Sequence, residues 1–191
     1  MALTTGMIHG LIMMFSFGWL LPMGVLSARL MKHRPGDLWF RLHRGFQVAG
    51  LIFGIGGFAI AVRNFNVFAD GSGTTSFQHG CLGATVFALV LLQPLLALLF
   101  RPGKSDDSTT NSGSGSRWWW ELQHKGMGYL ILLLTFVTIL LGAKLEGTGW
   151  QLAYVFGVVG SLVLAGGLMW FDRFSYQPST TPDATEMPSI A

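Results

Sequence analysis

Charge is the scarcest property of this sequence. Only 11% of its 191 residues are Asp, Glu, Lys or Arg, where soluble domains carry about 25%. Cysteine is nearly absent as well. Cys81 stands alone, so no intrachain disulfide can form, and the Cys-x-x-Cys-His signature of covalent c-type haem attachment is missing. No acid-rich or cysteine-rich cluster suggests a metal cage. The sequence also lacks the basic start and short apolar stretch of a secretory signal. Its start is uncharged and its first basic residues follow a long apolar run, which reads as an anchor inserted with the N-terminus outside.

The missing charge leaves long apolar runs. Residues 1–28, 45–62, 71–100, 126–143 and 147–171 hold no charged side chain, and each run is 18 residues or longer. Each is therefore long enough to cross a bilayer core. Helical spans are expected over about 4–30, 38–63, 76–100, 118–143 and 148–172. The expected fold class is an all-α integral membrane five-helix bundle, with a four-helix core and a fifth helix beside it. Pro22-Met23-Gly24 is expected to kink the first span, and Gln93-Pro94 to interrupt the third near its far end. Asp37 is placed to cap the second. Domain organisation is a membrane domain over 1–174 and a Ser/Thr/Pro-rich, disordered cytoplasmic tail over 175–191. The Gly/Ser/Thr/Asp-rich stretch 101–117 reads as a mobile loop. These spans and short connections leave no room for a soluble domain, and the net charge of +3 is no argument for nucleic acid.

The distribution of basic residues sets the expected orientation. Arg29, Lys32, Arg34, Arg41, Arg44, Arg101, Lys104, Arg117, Lys125 and Arg173 share one face, and only Arg63 and Lys144 lie on the other. The crowded face is expected to be cytoplasmic. The N-terminus is then exoplasmic and the C-terminus cytoplasmic, in a plasma membrane or endomembrane. Trp39, Trp118, Trp119, Trp120 and Trp170 mark the inner interface and Trp150 the outer.

Each of the first four spans carries one histidine near its beginning: His9, His43, His79 and His124. The fifth has none. An ionisable residue inside a membrane span is a functional hypothesis by default. Consecutive spans run antiparallel, so His9 and His79 share the outer level, and His43 and His124 the inner. The two levels lie about 25 Å apart at 1.5 Å per residue. Two imidazoles that share a metal each sit about 2 Å from it, borrowing the zinc–nitrogen distance. Pairing of His9 with His43 is therefore excluded, and the coplanar pairs are His9–His79 and His43–His124. The expected ligand is haem b, one at each pair, held by axial imidazoles in a helical bundle. On the second span His43, Gln47, Gly50, Gly54 and Gly57 fall on one stripe. Such a stripe means close helix packing or room for a flat ligand; Gly83 beside His79 and Gly128 beside His124 repeat it, which suits a macrocycle lying against backbone. Ligation by two histidines leaves no open iron position, which favours electron transfer over oxygen chemistry. His33 lies in a basic turn and is expected to be solvated. Arg29, Arg41, Arg44 and Lys125 are topology signals that also stand where haem propionates or an anionic substrate would meet them. No catalytic side chain is singled out.

Several short stretches resemble the cytochrome b561 family, in particular its five-span form often attached to DOMON domains. They are His9-Gly10, Leu21-Pro22-Met23-Gly24 and Ala28-Arg29 in the first span, then Trp39, Leu42-His43-Arg44 and Gln47 in the second. Gln78-His79-Gly80 opens the third, and His124-Lys125 with Gly128-Tyr129 opens the fourth. The resemblance covers residues 5 to about 172. It implies two haems b on the four histidines and an oxidoreductase that carries electrons across the membrane. The donor it implies is cytosolic ascorbate. The acceptors it implies are exoplasmic: monodehydroascorbate, a ferric chelate or a haem-bearing redox domain. The sequence as given has no DOMON domain before the first span, and its basic cluster matches an ascorbate site only loosely, Arg29 most nearly. Expected partners are the lipid bilayer, a small anionic reductant, an exoplasmic redox partner and a second copy of the chain, with no nucleic acid. The rival readings are a proton or metal transporter built on paired histidines, which would want carboxylates inside the spans, and a haemless membrane scaffold.

Overall fold

The structure is a computed structural model and describes residues 3–66, 69–101 and 113–176. Five helices are long and apolar enough to cross a membrane: Thr5–Leu30, Leu38–Asn64, Thr75–Phe100, Arg117–Glu146 and Thr148–Ser175. Hence the chain is a helical membrane bundle. The fourth helix begins earlier than its membrane segment, at Gly113. Loop residues 102–112 and tail residues 177–191 lie outside the described residues. Large apolar side chains such as Ile52, Leu98 and Phe156 point away from the bundle, which lipid tolerates and water would not.

The first four spans form a closed ring. The first packs on the second, the second on the third, the third on the fourth, and the fourth returns to the first. The fifth lies outside this ring against the first span. Its entry is abrupt. Gly147 alone separates the fourth and fifth helices, with φ at 116°, a backbone angle that only glycine adopts without strain.

Two spans change their winding in mid-membrane. In the first, residues Met14–Leu20 are π-helical, and Pro22 stands at the start of the α-helix that follows. Proline has no N–H to give, and the wider winding before it absorbs the mismatch. In the fifth, residues Ala153–Val159 are π-helical as well. The two wide segments touch. A Cβ on Gly18 would stand 3.2 Å from the Tyr154 ring, so the glycine lets that ring close on the first span. Pro94, by contrast, does not interrupt the third span, which runs unbroken from Thr75 to Phe100. Asp37 occupies the N-cap of the second span in a left-handed conformation, and its side chain makes no cap hydrogen bond.

The glycine stripe of the second span proves to be a packing surface. A Cβ on Gly50 would lie 2.6 Å from Leu21, one on Gly54 2.7 Å from Phe17, and one on Gly57 2.6 Å from Met13. All three partners belong to the first span, so no room for a macrocycle remains along that stripe. Buried Ser16 fixes the contact by donating to the carbonyl oxygen of Gly50 at 2.6 Å.

His33 is not solvated. Its Nδ1 faces the carbonyl oxygen of Leu30 at 3.0 Å and its Nε2 faces Asp172 Oδ2 at 2.9 Å. Arg34 grips the same carboxylate with two nitrogens, and this bond raises the arginine pKa above its ordinary value. The end of the fifth span is thereby tied to the turn after the first. Nothing in the basic turn itself announces a partner 139 positions away.

Substitution Gly54→Ala forces the buried Phe17 ring to move and is expected to cost about 1–3 kcal/mol. A Cβ on Gly56 would meet nothing within 4 Å, so Gly56→Ala is expected to leave the thermal midpoint in detergent unchanged. Equal midpoints for the two variants would contradict the packing reading of the stripe.

Candidate functional site

The ring of four spans brings the histidines together in two pairs. His9 and His79 face each other with ring centroids 6.2 Å apart and planes at 85°. His43 and His124 do so at 6.3 Å and 79°. His9 and His79 sit one turn inside the starts of the first and third spans. His43 lies one turn inside the start of the second span, and His124 faces it from the early part of the fourth. The pairs thus occupy opposite ends of the bundle. Among the described residues no group of three or more His, Cys, Asp or Glu could hold a metal, so any metal here would rest on two imidazoles.

Hydrogen bonds to the far ring nitrogen orient three of the four rings. His9 Nδ1 donates to the Gly57 carbonyl oxygen, His43 Nδ1 to that of Gly24, and His79 Nδ1 to that of Thr138, each at 2.9 Å. A carbonyl oxygen only accepts, so these bonds place a proton on Nδ1, and a neutral ring so held has its lone pair on Nε2. Orientation of a ligating imidazole through its other nitrogen is the usual second support of a metal site.

The spacing can be tested against a shared metal. Two nitrogens each about 2 Å from one ion, plus about 1 Å of ring radius on each side, put the centroids about 6 Å apart. The separations of 6.2 and 6.3 Å meet that requirement, as two unrelated core histidines need not. The residues present therefore fit a bis-imidazole centre at each end.

Three of the rings are also held from the side. Gly142 on the fourth span lies flat under His79, for a Cβ there would stand 2.7 Å from its Cε1. Trp120 stacks on His124 at 5.1 Å and 23°. Phe65 meets His9 edge-on at 5.8 Å. Around the His43–His124 end, Arg44 and Arg101 both approach the Phe40 ring, at 5.8 and 4.9 Å. Arg41 donates to the Gly36 carbonyl oxygen at 3.4 Å. Arg29 is exposed at the end of the first span. Lys125 is paired with Glu121 one turn back on an exposed face, which leaves it less free to meet an anion than the arginines.

Sequence reasoning missed the carbonyls of Gly24, Gly57 and Thr138, which carry no side-chain signal. It took Trp120 only as an interfacial residue. Gly142 had a signal: it lies 18 positions after His124, five helical turns on the same face.

Residues 8–148 match the eukaryotic cytochrome b561 family. A cytochrome b561 and DOMON domain-containing protein of Arabidopsis thaliana is 34% identical over 172 residues, which cover 85% of this chain and 39% of the relative. A cytochrome b561, DM13 and DOMON domain-containing protein of the same plant is 35% identical over 137 residues, 72% of this chain and 14% of the relative. Another cytochrome b561 and DOMON domain-containing protein is 30% identical over 151 residues, 78% of this chain and 34% of the relative. The chain thus spans well under half the length of these relatives. No solved structure matches it.

A Cβ on Gly142 would stand 2.7 Å from His79 Cε1, so if the His9–His79 pair holds a haem, Gly142→Ala is expected to weaken that binding by roughly 10–100-fold. The other pair should be untouched. The haem-to-protein ratio of the purified chain measures this, and an unchanged ratio would remove Gly142 from the site.

Proposed function

The chain belongs to the cytochrome b561 family, and on that premise we propose that it is a dihaem b-type cytochrome that transfers electrons across a membrane. The observation that carries the reading is the pair of facing histidine couples at opposite ends of one bundle. His9 with His79 would hold one haem b, and His43 with His124 the other. A haem b with two axial imidazoles supplies a one-electron carrier with no open coordination position.

The protein's own contribution is to fix and shield these ligands. Backbone carbonyls of neighbouring helices set the rings of His9, His43 and His79, so each Nε2 is aimed before any ligand arrives. The interior between the two levels is filled by side chains including Phe17, Phe58, Val86, Phe87 and Ile131, with Phe58 and Phe87 stacked at 4.0 Å. Such a dry filling excludes water and keeps the two centres electrically separate from the solvent.

The basic end is proposed to be cytoplasmic and to receive the electron from a small anionic reductant, ascorbate. Arg29, Arg41 and Arg44 would draw the anion or bind propionates there, with Lys125 in a lesser part because of Glu121. The exoplasmic acceptor would be monodehydroascorbate, a ferric chelate or a redox domain of the DOMON kind that the relatives' names carry.

A reduced-minus-oxidised visible spectrum of the purified protein tests the cytochrome reading directly. Two haems b per chain are expected, and a flat spectrum would favour a histidine-based transporter or a scaffold instead. Alanine at His9 and alanine at His79 should each remove one and the same haem, while alanine at His43 or His124 removes the other. Loss of a common haem in His9→Ala and His43→Ala would overturn the pairing.

For the donor, Arg29→Gln is expected to slow reduction by ascorbate several-fold while an uncharged donor is affected less. Raised salt should slow wild type in the same manner, because exposed charges are screened over about 10 Å at 0.1 M. Stopped-flow reduction of correctly oriented protein gives the answer, and equal rates for wild type and variant would defeat the donor site.

A further inference from the structure

Three of the four imidazoles rest on a backbone carbonyl, and the fourth does not. Nδ1 of His124 is closed off from solvent and has no hydrogen-bond partner. A second orphan lies beside it. Gln93, on the third span, donates from Nε2 to the carbonyl oxygen of His124 at 3.2 Å, and its Oε1 is buried without a partner. One ring nitrogen thus lacks a partner, and one amide oxygen lacks a donor, in two side chains whose residues are already joined. Buried polar groups rarely stay unpaired.

The surroundings of the two rings at this end differ. At His43 the neighbouring helix is close: a Cβ on Gly24 would stand 3.2 Å from Phe46 Cβ. The backbone of Gly24 can therefore reach the ring itself. At His124 the nearest helical glycine leaves more room, since a Cβ on Gly128 would meet nothing nearer than Gln93 Nε2 at 3.9 Å. No backbone carbonyl is hydrogen-bonded to the ring there, and a long amide is what fills the gap.

We propose that Gln93 is the positioning residue of His124, its Oε1 accepting the Nδ1–H of the ring in the haem-loaded protein. The proposal rests on the reading that His43 and His124 hold a haem, and adds the residue that orients the fourth ligand. An acceptor on Nδ1–H makes the imidazole a stronger electron donor, which favours the ferric state and lowers the potential of that centre.

The test is a spectroelectrochemical titration of the full, haem-loaded chain. Gln93→Leu, which has no acceptor, is expected to raise the midpoint potential of one haem and leave the other where it was. The shift should persist in a His9→Ala background, which keeps only the His43–His124 haem. Gln93→Glu keeps an oxygen at the same reach and should return the potential to the wild-type value or below it. Two retained haems with unmoved potentials in Gln93→Leu would overturn the proposal and leave the dihaem reading standing. Equal loss of both haems in both variants would also overturn it, as the mark of a packing residue. A wild-type chain that binds no haem would overturn the proposal and the reading together.

Discussion

The structure depends on hydrogen bonds from imidazole N–H groups to carbonyl oxygens that already serve their own helices. Inside a bilayer an unpaired N–H is costly, because no water replaces the lost partner. A helical carbonyl has a second lone pair to give. His9, His43 and His79 each use one from a neighbouring span, at Gly57, Gly24 and Thr138. A single bond thus removes a buried polar cost, joins two helices and fixes which ring nitrogen stays free. Packing and ring orientation are set together.

The glycines serve this arrangement indirectly. Gly50, Gly54 and Gly57 draw the first span against the second, and that closeness brings the Gly57 carbonyl within reach of His9. Gly142 acts directly, as a floor under His79. Small residues at a membrane helix interface compensate for the absence of a hydrophobic driving force between helices. Here they also decide which backbone oxygens can reach a ring.

Much of this was legible in the sequence, for physical reasons. Uncharged runs bounded by charged residues delimit spans because a charge in hydrocarbon is expensive. Antiparallel winding then forces histidines at the starts of alternate spans to share a level. What stayed hidden were contacts whose sequence signal is ambiguous or absent. A glycine stripe records that a side chain is missing without saying whether a helix or a ligand fills the space, and for the second span the answer was a helix. Pro94 reads as a break, yet the third span passes through it. Gln93 read as part of that break, although its partner lies on another helix. Asp172 looked like the end of a span, and its hold on His33 and Arg34 depends on where the fifth helix docks.

Five is an odd number of crossings. The first span starts beside His9, and the fifth ends beside His33 in the turn at the His43 end. The two ends of the described chain therefore lie at opposite ends of the bundle. A domain joined ahead of Thr5 would stand at the His9–His79 end, and one joined beyond Ser175 at the His43–His124 end. Gene fusion at one end rather than the other would thus choose which histidine couple acquires a tethered neighbour.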